Sequence, residues 1–534
     1  MKKIFTTLSL CCALGMGLEA QATEYTDRLE VVINNQLASQ STDKISVSKN
    51  EDDTYTLTLK NFILGSGEEV IPVGTINIPS VSATEFSTTN VRLAFADAIT
   101  IAAGDKADIA TWLGPGLGNV PVDLVGFIYG DKFYANININ INMTGLSKVI
   151  SVNFGTAPNA SDMGYQMPGR DFENWRKVSD KLGSEPDGWH SFATVDGVLA
   201  STAKAEQVKI AVGHNGGNCA QIFSRDVKFL GSHAAYANGT LTNGQMIAGS
   251  ADASNTKNHA ESNTSNGSDY YTNFFGNPDA VEVWVKYEDN GNGTNASISA
   301  AITDGTFYQE PWSSKTQPEN LIGRANKTDI APTSEWTKVT VPFEYYETGK
   351  ATKSILVTMS TSATPGAGKG NEQLYVDELN FVYNKGLKSF KIKGADALNQ
   401  TSIELPEATE LLATEVKVEV DGYAAKVNSI IVAPITDKEI EGNKVEHTTT
   451  VTVNVVAGDY STASYSCNVK LKTTEKEAEE KPGDTPTAIG ETTNEPATVV
   501  SIYTFTGTKV NNLNRPGVYI VKYSNGTAKR VIKK

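Results

Sequence analysis

Five histidines, His190, His214, His233, His259 and His447, are the first residues to try as catalysts or metal ligands, and no two form an H-x-x-x-H pair. No C-x-x-C accompanies them, so a zinc site has no ligand set to draw on. There is no G-x-S-x-G elbow, P-loop or dinucleotide fingerprint, and no nucleophile can be assigned. Glycoside hydrolysis needs two carboxyl groups facing one bond, about 5 to 10 Å apart. Glu310, beside Pro311 and Trp312, is a candidate for one of them, with an exposed loop carboxylate as the plainer reading.

Sugar binding asks for less. A pyranose offers an apolar face for stacking and hydroxyls for polar partners, so exposed aromatics beside amides are its mark. Trp284, Trp312, Tyr270 and Tyr271 are the candidates. Trp284 stands opposite valines on a strand and is either a platform or a core residue. Trp312 lies between Glu310-Pro311 and Ser313-Ser314, which disfavours burial, and Tyr270-Tyr271 follow an Asn/Ser-rich segment.

The strands that must position these residues run through 281–383. Val281, Val283, Val285 and Tyr287 alternate with Glu282, Trp284 and Lys286, the period of a strand with two unlike faces. Three more strands follow at 336–343, 354–359 and 374–383, separated by Gly, Pro, Asn and Ser loops, which suits a two-sheet jelly roll. Residues 151–278 are loop-rich, with strands at 208–212 and 221–230, and read as the first half of that domain.

The W-T-K-V-T-V-P-F-E-Y strand from Trp336, the I-L-V-T-M-S-T-S strand from Ile355 and the closing L-Y-V-D-E-L-N-F-V-Y from Leu374 together resemble the PCMD family of Bacteroidetes surface proteins, a family named for carbohydrate metabolism. Asp171-Phe172-Glu173-Asn174-Trp175 and Asp187-Gly188-Trp189 fit its opening, with Trp175 and Trp189 read as structural. The resemblance spans 152–383 and implies a sugar-related role without specifying an activity. Carbohydrate-binding jelly rolls of this type often keep an oxygen ligand for a structural calcium on the last strand, where Asp377 lies; a carboxylate bonding the adjacent loop is the alternative.

Upstream, Phe133, Ala135, Ile137, Ile139, Ile141 and Met143 alternate with asparagines, a half-buried strand. This strand and the stretch from Asn50 to Phe62 resemble the calycin-like, lipocalin-type domain of secreted Bacteroidetes proteins. That implies a small up-and-down barrel, either filled by side chains or hollow; no polar constellation favours a ligand, so a filled barrel is expected. Residues 385–473 carry short, turn-punctuated strands that suit an immunoglobulin-like sandwich acting as a spacer. Residues 474–496 are charged, Pro-containing and poor in large apolar side chains, as a linker is. The end of the chain, with Tyr503 and Gly507, then 517–521, Asn525-Gly526 as a type I′ turn and the basic 529–534, is similar to a short type IX C-terminal sorting domain.

Met1-Lys2-Lys3, the apolar 4–14 and Ala20-Gln21-Ala22 read as a signal peptide cleaved near Ala22. Lipidation at Cys11 or Cys12 is the alternative, disfavoured by Leu10. Without the signal only Cys219 and Cys467 remain, which excludes a disulfide scaffold and leaves two free thiols. No later stretch has the roughly 18 apolar residues of a membrane helix. The formal charge of -15, with no Lys/Arg cluster ahead of the basic 529–534, argues against nucleic acid as a partner.

The 534-residue chain therefore reads as all-β and multidomain: signal peptide 1–22, calycin-like barrel 23–150, jelly roll 151–384, immunoglobulin-like β-sandwich 385–473, linker 474–496 and a sorting-like β module 497–534. The function expected is non-catalytic binding of a polysaccharide or glycan at the bacterial surface or outer membrane, with secretion or anchoring machinery as a further partner. No cofactor is expected, a structural calcium at Asp377 being the one candidate. The rivals are a glycoside hydrolase and an adhesive protein with no sugar ligand.

Overall fold

A computed structural model describes residues 22–66, 69–143, 146–229, 232–476, 499–504, 509–510, 517–523 and 528–533. The signal peptide with Cys11 and Cys12, nearly all of the linker, Gly507 and the Asn525-Gly526 turn lie outside the described residues. The chain divides into two units, 1–475 and 476–534. Among the described residues the elements of both are almost all strands, as the alternating sequence requires.

Eight antiparallel strands form the first body: β1 (Thr23–Ile33), β2 (Gln36–Lys49), β3 (Tyr55–Ser66), β4 (Glu69–Glu85), β5 (Asn90–Thr100), β6 (Asn119–Tyr129), β7 (Lys132–Met143) and β8 (Leu146–Phe154). Each pairs with the next, and β1 pairs with both β2 and β8, so the barrel closes; β8 runs past the expected boundary at 150. Alternate residues point inward, and Ile45, Leu57, Ile78, Val122, Ile137 and Val152 fill the interior down to a void of ≈ 20 Å³. That is room for about one water and not for a ligand. On the outside the asparagines form an amide ladder: Asn138 Nδ2 donates to Asn136 Oδ1 (2.7 Å) and Asn136 Nδ2 to Asn153 Oδ1 (2.6 Å).

The central body is a sandwich of two antiparallel sheets. Five strands, in the order Val208–Val212, Asn218–Phe223, Gln373–Val382, Ala280–Glu288 and Thr333–Pro342, make one sheet. The other is six-stranded and centres on Ser354–Ser360, Ala296–Thr303 and Leu321–Ile330. Between them Val281, Val283, Val285 and Tyr287 meet Ile298, Ala300, Ile302 and Val357 in one core. Two of these strands, Ala296–Thr303 and Leu321–Ile330, escaped the sequence reading because they are rich in Ala, Ser, Gly and Asn, which carry weak β signals. The stretch expected to be loop-rich also holds strands, including Arg225–Phe229 paired with Ser232–Ala237 and a three-stranded sheet of Gln245–Ile247, His259–Ser262 and Tyr308–Glu310.

A second two-sheet sandwich follows, with Phe390, Ile392, Val451, Val453, Val469 and Cys467 at its centre. Expected as a spacer, it is instead packed against both neighbours. Ile430 N donates to Asn35 O (2.8 Å), and the amide ladder extends through Asn153 Nδ2 to Asn428 Oδ1 (3.1 Å). Aromatic rings from all three bodies converge: Phe127 of the barrel lies 6.0 Å from Tyr165 and 5.4 Å from Tyr460, both edge-on. Edge-to-face pairs at such spacings add about 0.5–1.5 kcal/mol each beyond burial, so the three bodies form one unit.

The second unit contains a four-stranded antiparallel sheet in the order Lys509–Val510, Val499–Thr504, Gly517–Tyr523 and Ala528–Lys533.

Phe127 is fully buried at the joint. Phe127→Ala should cost about 3–5 kcal/mol and raise hydrogen exchange in the Lys444–Val456 strand of the second sandwich; mass spectrometry showing exchange there unchanged would mean that the bodies are independent.

Candidate functional site

The six-stranded sheet has a second face, turned away from the core. Along Ala296–Thr303 the inward residues are Ile298, Ala300 and Ile302, so Ser297, Ser299 and Ala301 face out. Strand register sets Ser299 opposite both Asn326 and Thr358, and Ser297 opposite Ser360. Directly opposed residues share a face, which yields a floor of hydroxyls and amides. At the other end Ala301, Leu321 and Leu356 also face out, and Val195, Met246, Ala248, Ala260 and Tyr308 cover them as a small third layer. Where that cover stops, a cleft of ≈ 940 Å³ opens over the polar floor.

Trp312 lines this cleft, half-buried, with Nε1 donating to Tyr308 Oη (2.8 Å). Tyr308 Oη donates in turn to Glu310 Oε2 (3.3 Å), and Ser299 Oγ donates to Glu310 Oε1 (2.7 Å), which also pairs with Arg324. The guanidinium lies 5.5 Å from the Trp312 ring centroid. Glu310, expected in an exposed loop, thus ends a strand, with its side chain only 11% exposed and its oxygens engaged. Burial and the nearby carboxylate push the Tyr308 phenol up, so it stays a neutral donor.

Part of the cleft wall follows directly on a buried polar group. Glu185 is fully buried; its Oε1 accepts from Ser191 N (2.6 Å) and Oγ (2.7 Å), and its Oε2 accepts from Arg176 (2.8 Å). Arg176 also donates to His190 Nδ1 (2.8 Å), which leaves Nε2 as the protonated nitrogen donating to Asp269 O (2.6 Å). These bonds pin the chain just before Phe192 and Leu199, which line the cleft. Tyr270 packs against His190 with ring centroids 4.3 Å apart and planes tilted by 42°, so it belongs to this support and not to the cleft. Tyr271 is also away from the cleft; a Cβ on Gly305, in the turn after Thr303, would lie 2.8 Å from its hydroxyl.

Trp284 is on the other sheet. It is half-buried on the outer face, with the His214 ring stacked on it at 3.7 Å and Lys338 Nζ 5.5 Å from the ring centroid. The structure therefore does not bring Trp284, Trp312, Tyr270 and Tyr271 together. Asp377 accepts His214 N through Oδ2 (2.7 Å) and Glu378 N through Oδ1 (2.9 Å), so the carboxylate ties down the loop that carries the stacked ring. Among the described residues no three His, Cys, Asp or Glu side chains gather as a metal site would need. Trp189 is fully buried, with Nε1 donating to Gly169 O (3.0 Å), and Trp175 is half-buried, with Nε1 donating to Phe172 O (2.7 Å). Cys219 and Cys467 are buried free thiols.

Sequence reasoning missed the floor residues Ser297, Ser299, Asn326, Thr358 and Ser360, and the cleft residues Arg225 and Arg324. The available signal was the pair of polar residues at alternate positions in each strand, Ser297 and Ser299 in Ala296–Thr303 and Thr358 and Ser360 in Ser354–Ser360.

Residues 22–157 match the family described as Calycin-like beta-barrel domain. No match is found among curated proteins. Among solved structures, the chain is similar to a protein from Bacteroides vulgatus provisionally named a glycoside hydrolase, at 21% identity over 40% of this chain and 96% of that one, with a TM-score of 0.31. A second protein so named, from Bacteroides thetaiotaomicron, is 13% identical over 70% of this chain and 99% of its own, again with a TM-score of 0.31. A protein from Bacteroides fragilis, provisionally named an outer membrane protein, is 17% identical over 25% of this chain and 50% of its own, with a TM-score of 0.19. Likenesses this slight carry no functional argument.

Burial and the Arg176 charge hold His190 down at about 4, against an ordinary value near 6.5. Between those values the unfolded chain takes up a proton that the native ring refuses, so this residue's contribution to stability falls as pH drops from about 6.5 to about 4. Glu185, raised by burial, acts in the opposite sense over its own range. His190→Gln should therefore flatten the acid-side loss of stability relative to the unaltered protein, measured by urea unfolding at stepped pH; parallel curves would show that the ring is not buried neutral.

Proposed function

We propose that this protein is exported and binds a glycan in the cleft of its central sandwich, without turning it over. The observation that carries the reading is the two-faced cleft itself: a floor of Ser299, Asn326, Thr358 and Ser360, apolar walls, and Trp312 at its side. A pyranose is two-faced in the same way, with hydroxyls for the floor and C–H surface for the ring and walls. The volume of ≈ 940 Å³ is in the range of ordinary small-ligand sites.

Binding is preferred over hydrolysis because the charged carboxyl lining the cleft is Glu310 alone among the described residues, and Arg324 already holds it. Glycosidases of the usual kind act with two flanking carboxyl groups. Export is supported by the charged start, apolar run and Ala-x-Ala of residues 1–22. Retention at the cell surface through residues 497–534 is part of the same proposal.

Titration of the full chain against host and plant polysaccharides tests it. Trp312→Ala should weaken binding about tenfold or more, while Trp284→Ala, on the other sheet, should leave it unchanged. Loss in Trp284→Ala with Trp312→Ala silent would move the site to the opposite face.

A further inference from the structure

The charges of the cleft are unlike those of the chain. The whole sequence carries a formal -15. Yet apart from His259 and Tyr236, the ionisable side chains lining the cleft are Arg225, Arg324 and Glu310. Glu310 and Arg324 neutralise one another, which leaves Arg225.

Arg225 opens the strand Arg225–Phe229, whose hairpin with Ser232–Ala237 forms one wall. One terminal nitrogen donates to Ala203 O, the last residue of the helical turn Ala200–Ala203. Its Nε is buried with no acceptor, and no carboxylate forms an ion pair with it among the described residues. Burial alone acts on the guanidinium, pushing its pKa down with no anion to oppose that. On the same wall Asn238 spends its amide N–H groups on Ser362 O (3.2 Å) and Thr364 O (3.0 Å), while its Oδ1 has no donor. Buried polar groups are nearly always partnered, and an unpaired half-buried cation in a cleft is the costlier exception.

We propose that the sugar taken by this cleft is acidic, and that Arg225 receives its carboxylate or sulfate group. The inference rests on the glycan reading above and adds the charge of the ligand. A guanidinium matches a planar carboxylate or a sulfate through paired N–H donors. Such a ligand supplies the missing anion, while its neighbouring hydroxyls meet the floor and its ring meets Trp312.

The test uses the full chain and paired glycans: pectin, alginate and glucuronoxylan, each with its carboxyl-reduced form, and chondroitin sulfate with its desulfated form. For at least one pair the charged member should bind about tenfold more tightly than its neutral partner, and the gap should narrow at high salt. The carboxylate pairs and the sulfate pair separate the two sources of charge. Arg225→Met should abolish the preference and Arg225→Lys should keep part of it, so a folded, charge-retaining variant stands beside the charge-free one. Neutral members binding as tightly as charged ones in every pair that binds would overturn the acidic ligand while leaving glycan binding intact. No binding to either member of any pair would overturn the glycan reading and this inference with it. The comparison within pairs needs only the unaltered protein, so it decides even if Arg225→Met does not fold.

Discussion

A strand has two faces, and the six-stranded sheet of the central sandwich must do something with both. One face packs against its partner sheet through Ile298, Ala300, Ile302 and Val357. On the other the side chains change along the strands, from apolar at Ala301, Leu321 and Leu356 to polar at Ser299, Asn326 and Thr358. Apolar surface left in water would cost about 25 cal/mol per Å², so the apolar end is roofed by a third layer. Hydroxyls and amides carry no such demand, and over them the roof can stop. The cleft is therefore located by the change of polarity along a few strands.

The roof combines the short three-stranded sheet with irregular chain between Ser191 and Leu199, and irregular chain is ordinarily mobile. Here its start is fastened by Glu185, whose oxygens take up bonds from Ser191, Thr194 and Arg176, and by His190 between Arg176 and Asp269. Buried charge is rarely a source of net stability. Its service is positional: a carboxylate with its acceptor sites filled has one favourable arrangement, and the chain leading to Phe192 and Leu199 is set by it. A wall ordered in advance lowers the entropy lost when a ligand enters.

Around this core the barrel and the second sandwich act as abutments. The barrel interior is closed to ligands by aliphatic side chains, so what it offers its neighbours is its outside. There the Asn136-Asn138-Asn153 ladder continues into Asn428, and Phe127 and Tyr134 meet Tyr165 and Tyr460. Amides and aromatic rings on a barrel exterior are surplus to the barrel itself; they make sense once three bodies share them.

Much of the architecture was legible in the sequence. Period-2 alternation is a local property, so β7, the valine-rich strand Ala280–Glu288 and the closing strand Gln373–Val382 announce themselves, and with them an all-β chain. Strands of small residues, such as Ala296–Thr303, do not, because their drive to form comes from neighbours on both sides. Of the aromatics singled out for sugar, Trp312 reaches the cleft, while Trp284 lies beneath His214 on the other sheet and Tyr270 braces His190. An aromatic in polar company looks the same in sequence whether a ligand or a histidine will stack on it. Residue types and alternation by themselves determined strands, sheets and the presence of polar faces. Only the tertiary structure decided which polar face is roofed into a cleft, and that Arg225 stands there with no carboxylate among the described residues while Arg324 meets Glu310, because pairing of charges depends on strands distant in sequence being laid side by side.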